Sequence, residues 1–516
     1  MDIKFVGKLT LYTFFASVFI YILSFLGFLR PGVEVFGFFL MLTALIGLSL
    51  WKIEYGLLFL VFEFLAGING HLFEFKSISI RLVLFAVFMF IWAIQKIVDY
   101  KSLKLRIENF TNAFFFKSFA FALFFIALAG IIGIIRGNSL SLIFGDLVCY
   151  SYILLIFPFF DLISNFKKSE INLIHFNKTL TFAEKIFNNR KTEYSKKYWV
   201  EKIFQIFSGV VIATSSLTIV SLYFFSSHIE RHGGIYYQWF RNYTGGKITK
   251  MDNNFFRVVM SSDFLVLIFF LIIIAVLLFA LKGKIFKDKK YWINTQLSWL
   301  IFLGILSSSV LIISFTRNFL LGFIISFIFL CLILKVSLKR KIYFLIGLII
   351  IFLVESFLIF YLCNHKSIQT NFLFLNDRIE TIFSPKTEVS AMSRLKRFEV
   401  GFEKLKKYFI LGSGVGSELV VYDYATEKII KTSHIDWGYL ENFIELGLFG
   451  FLSYFFFLGT LFWQGIKKTY YSINNNDFYL GILIGLFCLF VIHLFGPFLF
   501  YPTGILYILV ALIIFI

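Results

Sequence analysis

Charged side chains are scarce in this sequence: only 15% of its 516 residues are Asp, Glu, Lys or Arg, and 59% are hydrophobic. With a mean hydropathy of +0.85, that scarcity excludes a soluble globular protein. Apolar runs of roughly 20 residues recur, the length needed to cross a hydrocarbon core about 30 Å thick. Cysteine is also sparse. Cys149, Cys331, Cys363 and Cys488 show no CxxC spacing, so neither a disulfide framework nor a zinc site is signalled. Acidic residues are outnumbered, 30 against 49 Lys and Arg, for a formal charge of +19. Most of the cations lie in short loops between apolar runs, so membrane topology accounts for them and nucleic acid is not an expected partner. No small-residue cleavage site follows the first apolar run, so Lys4 and Lys8 introduce a first span, not a cleavable leader. No internal repeat is visible.

The fold class expected is an all-α polytopic membrane protein. About fourteen spans are legible, near 10–29, 34–51, 55–71, 79–97, 113–135, 140–163, 203–226, 263–281, 292–313, 318–335, 342–362, 438–463, 477–495 and 497–516. The basic loops test the count. Lys96 to Arg106, the segment 164–202, Lys282 to Lys290, Lys335 to Lys341 and Lys467–Lys468 all fall on one side if both termini are cytoplasmic. Five regions follow: an N-terminal bundle 1–163, a basic cytoplasmic loop 164–202, spans 203–362, an outer-face loop 363–437 and C-terminal spans 438–516. A second outer-face loop, 227–262, carries Arg231, His232, Arg241 and Arg257 among aromatics. There Tyr236, Tyr237 and Trp239 are candidates to stack on sugar rings.

Ionisable residues inside spans are costly and mark cavities or pathways. Glu63, Asp146, Glu355 and His493 are of this kind. The densest chemistry lies between Arg394 and Gly450. Apolar residues at Leu395, Phe398, Phe402, Leu405 and Phe409 share one helix face, and Arg394 and Arg397, three apart, are neighbours on the helix surface. The run Gly412-Ser413-Gly414-Val415-Gly416 permits a tight turn and close approach of N–H groups to an anion. Asp436, at the mouth of the next span, has two readings: a general base beside arginines, or a helix N-cap. Arg317, between two spans, suits bidentate phosphate binding or an anchor at headgroups.

The order of these pieces resembles the O-antigen ligase/O-antigen polymerase superfamily of bacterial polytopic membrane proteins. The resemblance rests on Arg317 between spans, Arg394-x-x-x-Phe398, the glycine turn eighteen residues on, Tyr439-Leu440, and Glu445-Leu446-Gly447-x-x-Gly450. It covers about Arg317 to Gly450. It implies a glycosyl transferase in the bacterial cytoplasmic membrane that acts on glycans carried by undecaprenyl diphosphate at the outer face. It implies that Arg317 and Arg394, with Arg397, hold the diphosphate, that Arg241 or Arg231 assists, and that Gly414, Gly416 and Tyr439 line the site. No metal and no other cofactor is expected. The implied partners are the lipid-linked glycan, the bilayer, a chain-length regulator and a lipid-linked sugar flippase. Ligases of this family carry a His nine residues before the Glu of E-L-G, where this chain has Asp436, with His434 two residues earlier. Either could be the base. A polymerase of lipid-linked repeats is therefore the leading expectation. A ligase to lipid A-core and a transporter of lipid-linked sugars using Glu63, Asp146 and Glu355 are the rivals.

Overall fold

Long apolar stretches in a bilayer must satisfy their backbone polar groups internally, and a helix does this segment by segment. The computed structural model describes residues 5–68, 70–98, 114–161, 183–251, 255–280, 295–334, 336–363, 389–424, 427–433, 435–471 and 476–515. These residues form sixteen α-helices, one 3-10 turn and three antiparallel two-stranded ribbons. The first part comprises α1 (Lys8–Leu29), α2 (Pro31–Trp51), α3 (Ile53–Ala66), the ribbon β1–β2 (Glu74–Phe75, Ile78–Ser79) and α4 (Ile80–Val98). There follow α5 (Phe114–Ile135), α6 (Leu140–Ser151), α7 (Ala183–Ser226), α8 (Ile235–Tyr243), β3 (Lys247–Lys250) and β4 (Phe256–Val259). Next are α9 (Asp263–Ala280), α10 (Thr295–Ser314), α11 (Arg317–Ile333), α12 (Leu338–Cys363) and α13 (Val389–Lys407). The chain closes with β5 (Leu419–Asp423), β6 (Lys428–Thr432), α14 (Gly438–Tyr471), α15 (Asn476–His493) and α16 (Pro502–Phe515).

Nine helices among the described residues are long and apolar enough to cross a membrane. Four more apolar helices, Asp263–Leu278, Arg317–Ile333, Phe478–His493 and Pro502–Phe515, are shorter. The chain is a polytopic helical membrane protein. The expected fourteen spans exceed what helix length alone supports, because the stretches near 55–71, 263–281, 318–335, 477–495 and 497–516 fold as shorter helices. The short ones occupy the middle. Every residue of α16 from Thr503 on is buried, and so is nearly every residue of α9, as befits helices that are apolar all round. At the periphery α12 leaves most of its apolar side chains uncovered, the surface a bilayer would cover. The expected basic loop 164–202 is helical from Ala183 on, running without a break into the following span as α7. At 44 residues α7 is about 66 Å long, roughly twice a hydrocarbon core, so its basic first turns project beyond the bilayer.

Polar side chains within the bundle are tied down locally. The hydroxyls of Ser17, Thr214, Thr218 and Ser307 donate to carbonyls one turn back. Glu63 forms a buried ion pair with Arg81 at 3.2 Å, and Arg81 also donates to the carbonyls of Glu63, Phe64 and Ile68. Glu355 accepts from Ser308 at 2.7 Å, and His493 Nε2 lies 2.8 Å from Asn442 Oδ1. Glu63, Glu355 and His493 thus bond to different partners.

One end of the bundle collects the soluble elements. The segment after α7, with α8 and the β3–β4 ribbon, folds over the ends of α7 and α10, β4 packing on both. At the same end the start of α11 meets the turn after α15, with Phe319 packed on Phe498. The start of α14 is tied to α15 there through His493 and Tyr439. The turn between α5 and α6 joins them by contacting the glycine run.

Candidate functional site

The helix α13, the β5–β6 ribbon and the first turns of α14 form a small unit around Leu405, Leu419, Val421, Ile435 and Ile444. The expected single apolar face of α13 divides in two. Leu405 is buried in this unit, whereas Leu395, Phe398, Phe402 and Phe409 remain exposed.

The glycine run between α13 and β5 is a wedge between helices. Gly412, Gly414 and Gly416 all have positive φ, 74°, 81° and 75°. Ser413 N–H donates to the carbonyl of Ile444, Gly414 N–H to that of Glu445, Val415 N–H to that of Ala129, and Gly416 N–H to Asp146 Oδ2. Asn138 donates to the carbonyl of Val415 at 2.9 Å, and Arg136, stacked on Tyr408, donates to that of Gly412. An anion-holding role for this turn is thus not supported: its successive N–H groups are already given to protein acceptors, and Gly414 and Gly416 serve close packing. The same contact explains the E-L-G motif. Helix α14 breaks at Gly447, with φ 68° and ψ −176°, and Leu448 N–H donates to the carbonyl of Phe409. A Cβ on Gly412 would lie 2.3 Å from Glu445 O and 2.5 Å from Gly447 N. The two glycines let the turn lie against the kink.

Just before α14, Asp436 is held in a left-handed conformation, φ 61°. Its neighbours fix it there. Ile435 N–H donates to Glu441 Oε2 at 3.0 Å, and Trp437 Nε1 donates to the carbonyl of Arg394 at 3.2 Å. Arg397 donates to Asp436 Oδ2 and lies 4.0 Å from Asp423, which also accepts from Ser393. Arg397 is therefore engaged with two carboxylates, those of Asp436 and Asp423. The N-cap reading of Asp436 is replaced by this ion pair. The side chain remains about a third exposed. His434 lies outside the described residues.

A second cationic locus sits at the α10–α11 junction. Phe315 has φ 42°, a strained value for a bulky residue. The junction is clamped by Arg257 of β4, which donates Nε to the carbonyl of Ser314 at 2.7 Å and a terminal nitrogen to Thr316 Oγ1 at 3.1 Å. Arg317 follows as the first residue of α11. Strand β4 thus brings Arg257 to the turn that Arg317 follows in the chain. Arg241 and Arg231 are both exposed, and Arg241 donates to the hydroxyl of Tyr237 at 3.4 Å. Trp239 is buried and donates to Ser24, and Tyr236 bonds Ser221 among Phe25, Phe224 and Phe225. Of the three aromatics expected to meet sugar, Trp239 is core and Tyr236 is half-buried against it. Tyr439 is also a packing group, its hydroxyl donating to the carbonyl of Phe490 and its ring lying on His493.

Residues 302–455 match the family model described as O-antigen ligase. The resemblance to the O-antigen ligase/polymerase superfamily holds. No curated protein and no solved structure matched the chain. The ligase-like segment includes Arg317, Arg394, Arg397, the glycine wedge, Asp436 and the Gly447 kink. The match points to ligase- or polymerase-type activity and does not separate the two. Among the residues that complete this segment's geometry, three side-chain donors come from outside it. Arg136 and Asn138 hold the wedge, and Arg257 clamps the junction before Arg317. The first two carry no signal in the sequence, because a short Arg-Gly-Asn turn between apolar runs looks like any helical hairpin.

Proposed function

We propose that the protein is a glycan polymerase that joins undecaprenyl-diphosphate-linked oligosaccharide repeats into O-antigen or capsular polysaccharide. It works at the outer face of the bacterial cytoplasmic membrane, with both termini on the cytoplasmic side. The observation that carries this reading is the gathering, at one end of the bundle, of a buttressed carboxylate and the junction before Arg317 that Arg257 clamps. In this reading Arg317 and Arg257 hold the diphosphate of the donor chain, and Arg394 approaches it from α13. As the glycosidic bond breaks, negative charge builds on the leaving diphosphate, and guanidinium groups fixed beforehand stabilise it without reorganising. Asp436 receives the acceptor sugar hydroxyl on Oδ1 while Arg397 holds Oδ2. The replacement of the ligase-type His by Asp436 favours polymerase over transfer to lipid A-core.

The test is a gel of surface glycans from a strain lacking the protein, with add-back of wild type, Arg317→Ala and Asp436→Ala. A polymerase predicts core carrying a single repeat in the deletion, and a ladder restored by wild type alone. Bare core with long chains retained on the lipid carrier would make it a ligase. An unchanged ladder in the deletion would refute both.

A further inference from the structure

Helix α13 has three faces. Ser393, Arg397, Gly401 and Leu405 recur every four residues and turn inward to the β5–β6 ribbon and α14. Lys396, Glu399, Glu403 and Lys407 make a charged face. The third face is an apolar stripe of Leu395, Phe398, Phe402 and Phe409, each between 39% and 45% exposed. Phe398 and Phe402 stack with their rings 8° from parallel, so the stripe is an ordered surface. An exposed apolar patch with a polar border marks a docking surface.

The stripe continues into helices that a bilayer would cover. Phe409 is followed by the exposed Ile410 and Leu411, and its carbonyl accepts the N–H of Leu448 at the kink of α14. Past that kink, Phe449 and Leu452 are exposed on a helix long and apolar enough to cross a membrane. On α5, Ile134 and Ile135 are exposed up to Arg136, whose guanidinium lies 4.2 Å from the ring of Tyr408. Lys407 lies over the same ring at 5.4 Å, and Lys406 over Phe402 at 5.0 Å. Cations and aromatics at the end of a span belong to the headgroup layer. An apolar stripe bordered by lysines belongs to a helix lying in that layer. A protein partner would account for the stripe, but not for its continuation into two lipid-facing helices.

We propose that α13 lies along the membrane surface, with its apolar stripe among the acyl chains and Arg136, Lys406 and Lys407 on phospholipid phosphates. Leu395 and Phe409 are fourteen residues apart, about 21 Å along the helix. An upright helix would leave Leu395 in water, whereas a flat one seats both ends. Arg397 is on the inner face of the same helix, so this seating sets the height of the Arg397–Asp436 pair above the hydrocarbon. The inference holds whichever reaction the protein performs.

The experiment uses the full chain in phospholipid nanodiscs, with its four native cysteines replaced by alanine. A nitroxide is attached at Leu395→Cys, Phe402→Cys, Glu399→Cys or Glu403→Cys, two positions on each face, and a monodisperse elution profile shows that the fold is kept. Paramagnetic resonance compares collision with oxygen, which concentrates in lipid, and with a nickel chelate, which stays in water. Labels at Leu395 and Phe402 should meet oxygen more than nickel, and labels at Glu399 and Glu403 the reverse. Exchanging phosphatidylcholine for anionic phosphatidylglycerol should lower nickel collision at Phe402 further, and the double variant Lys406→Glu, Lys407→Glu should weaken that response. Equal nickel collision at Phe402 and Glu403 puts the stripe in water and overturns the proposal. Exclusion of both reagents at Phe402 means that protein, such as a second copy of the chain, covers the stripe, and also overturns it. So does a lipid-seated Phe402 with Leu395 in water, which is an upright helix. A response to headgroup charge that is absent, or undiminished in the lysine variant, refutes the role of the cations.

Discussion

Replacing Gly414 by alanine isolates the packing role of the glycine wedge. The residue has φ 81°, and a Cβ there would lie 2.3 Å from the amide nitrogen of Gly133 and 2.4 Å from its Cα. The clash is with helix backbone, which cannot rotate away as a side-chain tip can. A left-handed conformation costs an alanine about 1–2 kcal/mol. Forcing a methyl into filled space costs about 1–3 kcal/mol more. If the wedge withdraws instead, its hydrogen bonds to Ala129, Asn138 and Glu445 go with it, at about 1 kcal/mol each. The first route gives about 2–5 kcal/mol and the second about 4–5 kcal/mol. Gly137 is the internal control. Its φ is 74°, but nothing lies within 4 Å of the position an added Cβ would take. Gly137→Ala should therefore lose only the conformational cost of about 1–2 kcal/mol. The assay is thermal loss of the monodisperse peak for each detergent-purified variant, alongside its abundance in membranes. Gly414→Ala should melt clearly below Gly137→Ala, and Gly137→Ala slightly below wild type. Equal melting of the two variants would refute the claim that the wedge is held by backbone contact.

Other outcomes follow from the same geometry. Gly412→Ala and Gly447→Ala should each destabilise, but their double variant should cost less than the sum, because the two positions share one contact; melting of the three proteins checks the coupling. Asp436→Asn keeps the size of the side chain and should lower turnover of a lipid-linked donor by about 10²–10⁴-fold in a purified assay, if the carboxylate handles the acceptor proton. Arg257→Lys retains charge but not the two-point hold on Ser314 and Thr316, and should lower the same rate by roughly 10²-fold. Glu63→Gln leaves Arg81 buried without its counter-charge and should cost about 3–5 kcal/mol in stability, with normal turnover per folded molecule. Full stability with lost activity in that variant would instead revive a pathway role for Glu63.

The membrane class was legible because hydropathy and helix length obey one physical rule, and the apolar runs fall on helices with little ambiguity. Helix length in the bundle centre was less legible. α16 needs only 14 residues because protein surrounds it on all sides, a condition that no run of apolar letters distinguishes from lipid. The motif residues from Arg317 to Gly450 were visible as a set, but their division of labour was not. Glycines at 412, 414 and 416 fit an anion nest or a close helix contact equally well in sequence, and only the donors' actual acceptors separate the two. Tyr236 and Trp239 sit in a polar loop between basic residues, where an aromatic suggests a sugar platform. The burial of Trp239 and the packing of Tyr236 depend on α1 passing beneath them, through Phe25 and Ser24, some two hundred residues away. Arg257 was one of several arginines in its loop, and it was singled out only when β4 proved to cross the ends of α7 and α10.

The pairing of Asp436 with Arg397 bears on how the reaction would be driven. One carboxylate oxygen is committed to the guanidinium, and Arg397 is in turn shared with Asp423 on the ribbon. An isolated carboxylate on a loop would turn freely. This one is held from two sides, with Ile435 anchored to Glu441 and Trp437 to the carbonyl of Arg394, so Oδ1 has a defined direction. Orientation is what glycosyl transfer from a diphosphate demands most. Bond breaking leads in an oxocarbenium-like transition state, and the acceptor hydroxyl needs to be aimed at the anomeric carbon before it needs to be deprotonated. On the proposed reading the barrier would be lowered chiefly at the leaving group, by Arg257 and Arg317, and Asp436 would collect the proton late. On this account Arg397→Ala should hurt by loosening Asp436. Rate would fall with little change in donor KM, whereas Arg317→Ala should raise donor KM and lower rate together. Measuring both constants with one lipid-linked donor separates the two roles. A purely donor-side defect in Arg397→Ala would return that residue to the diphosphate and undo the division of labour proposed here.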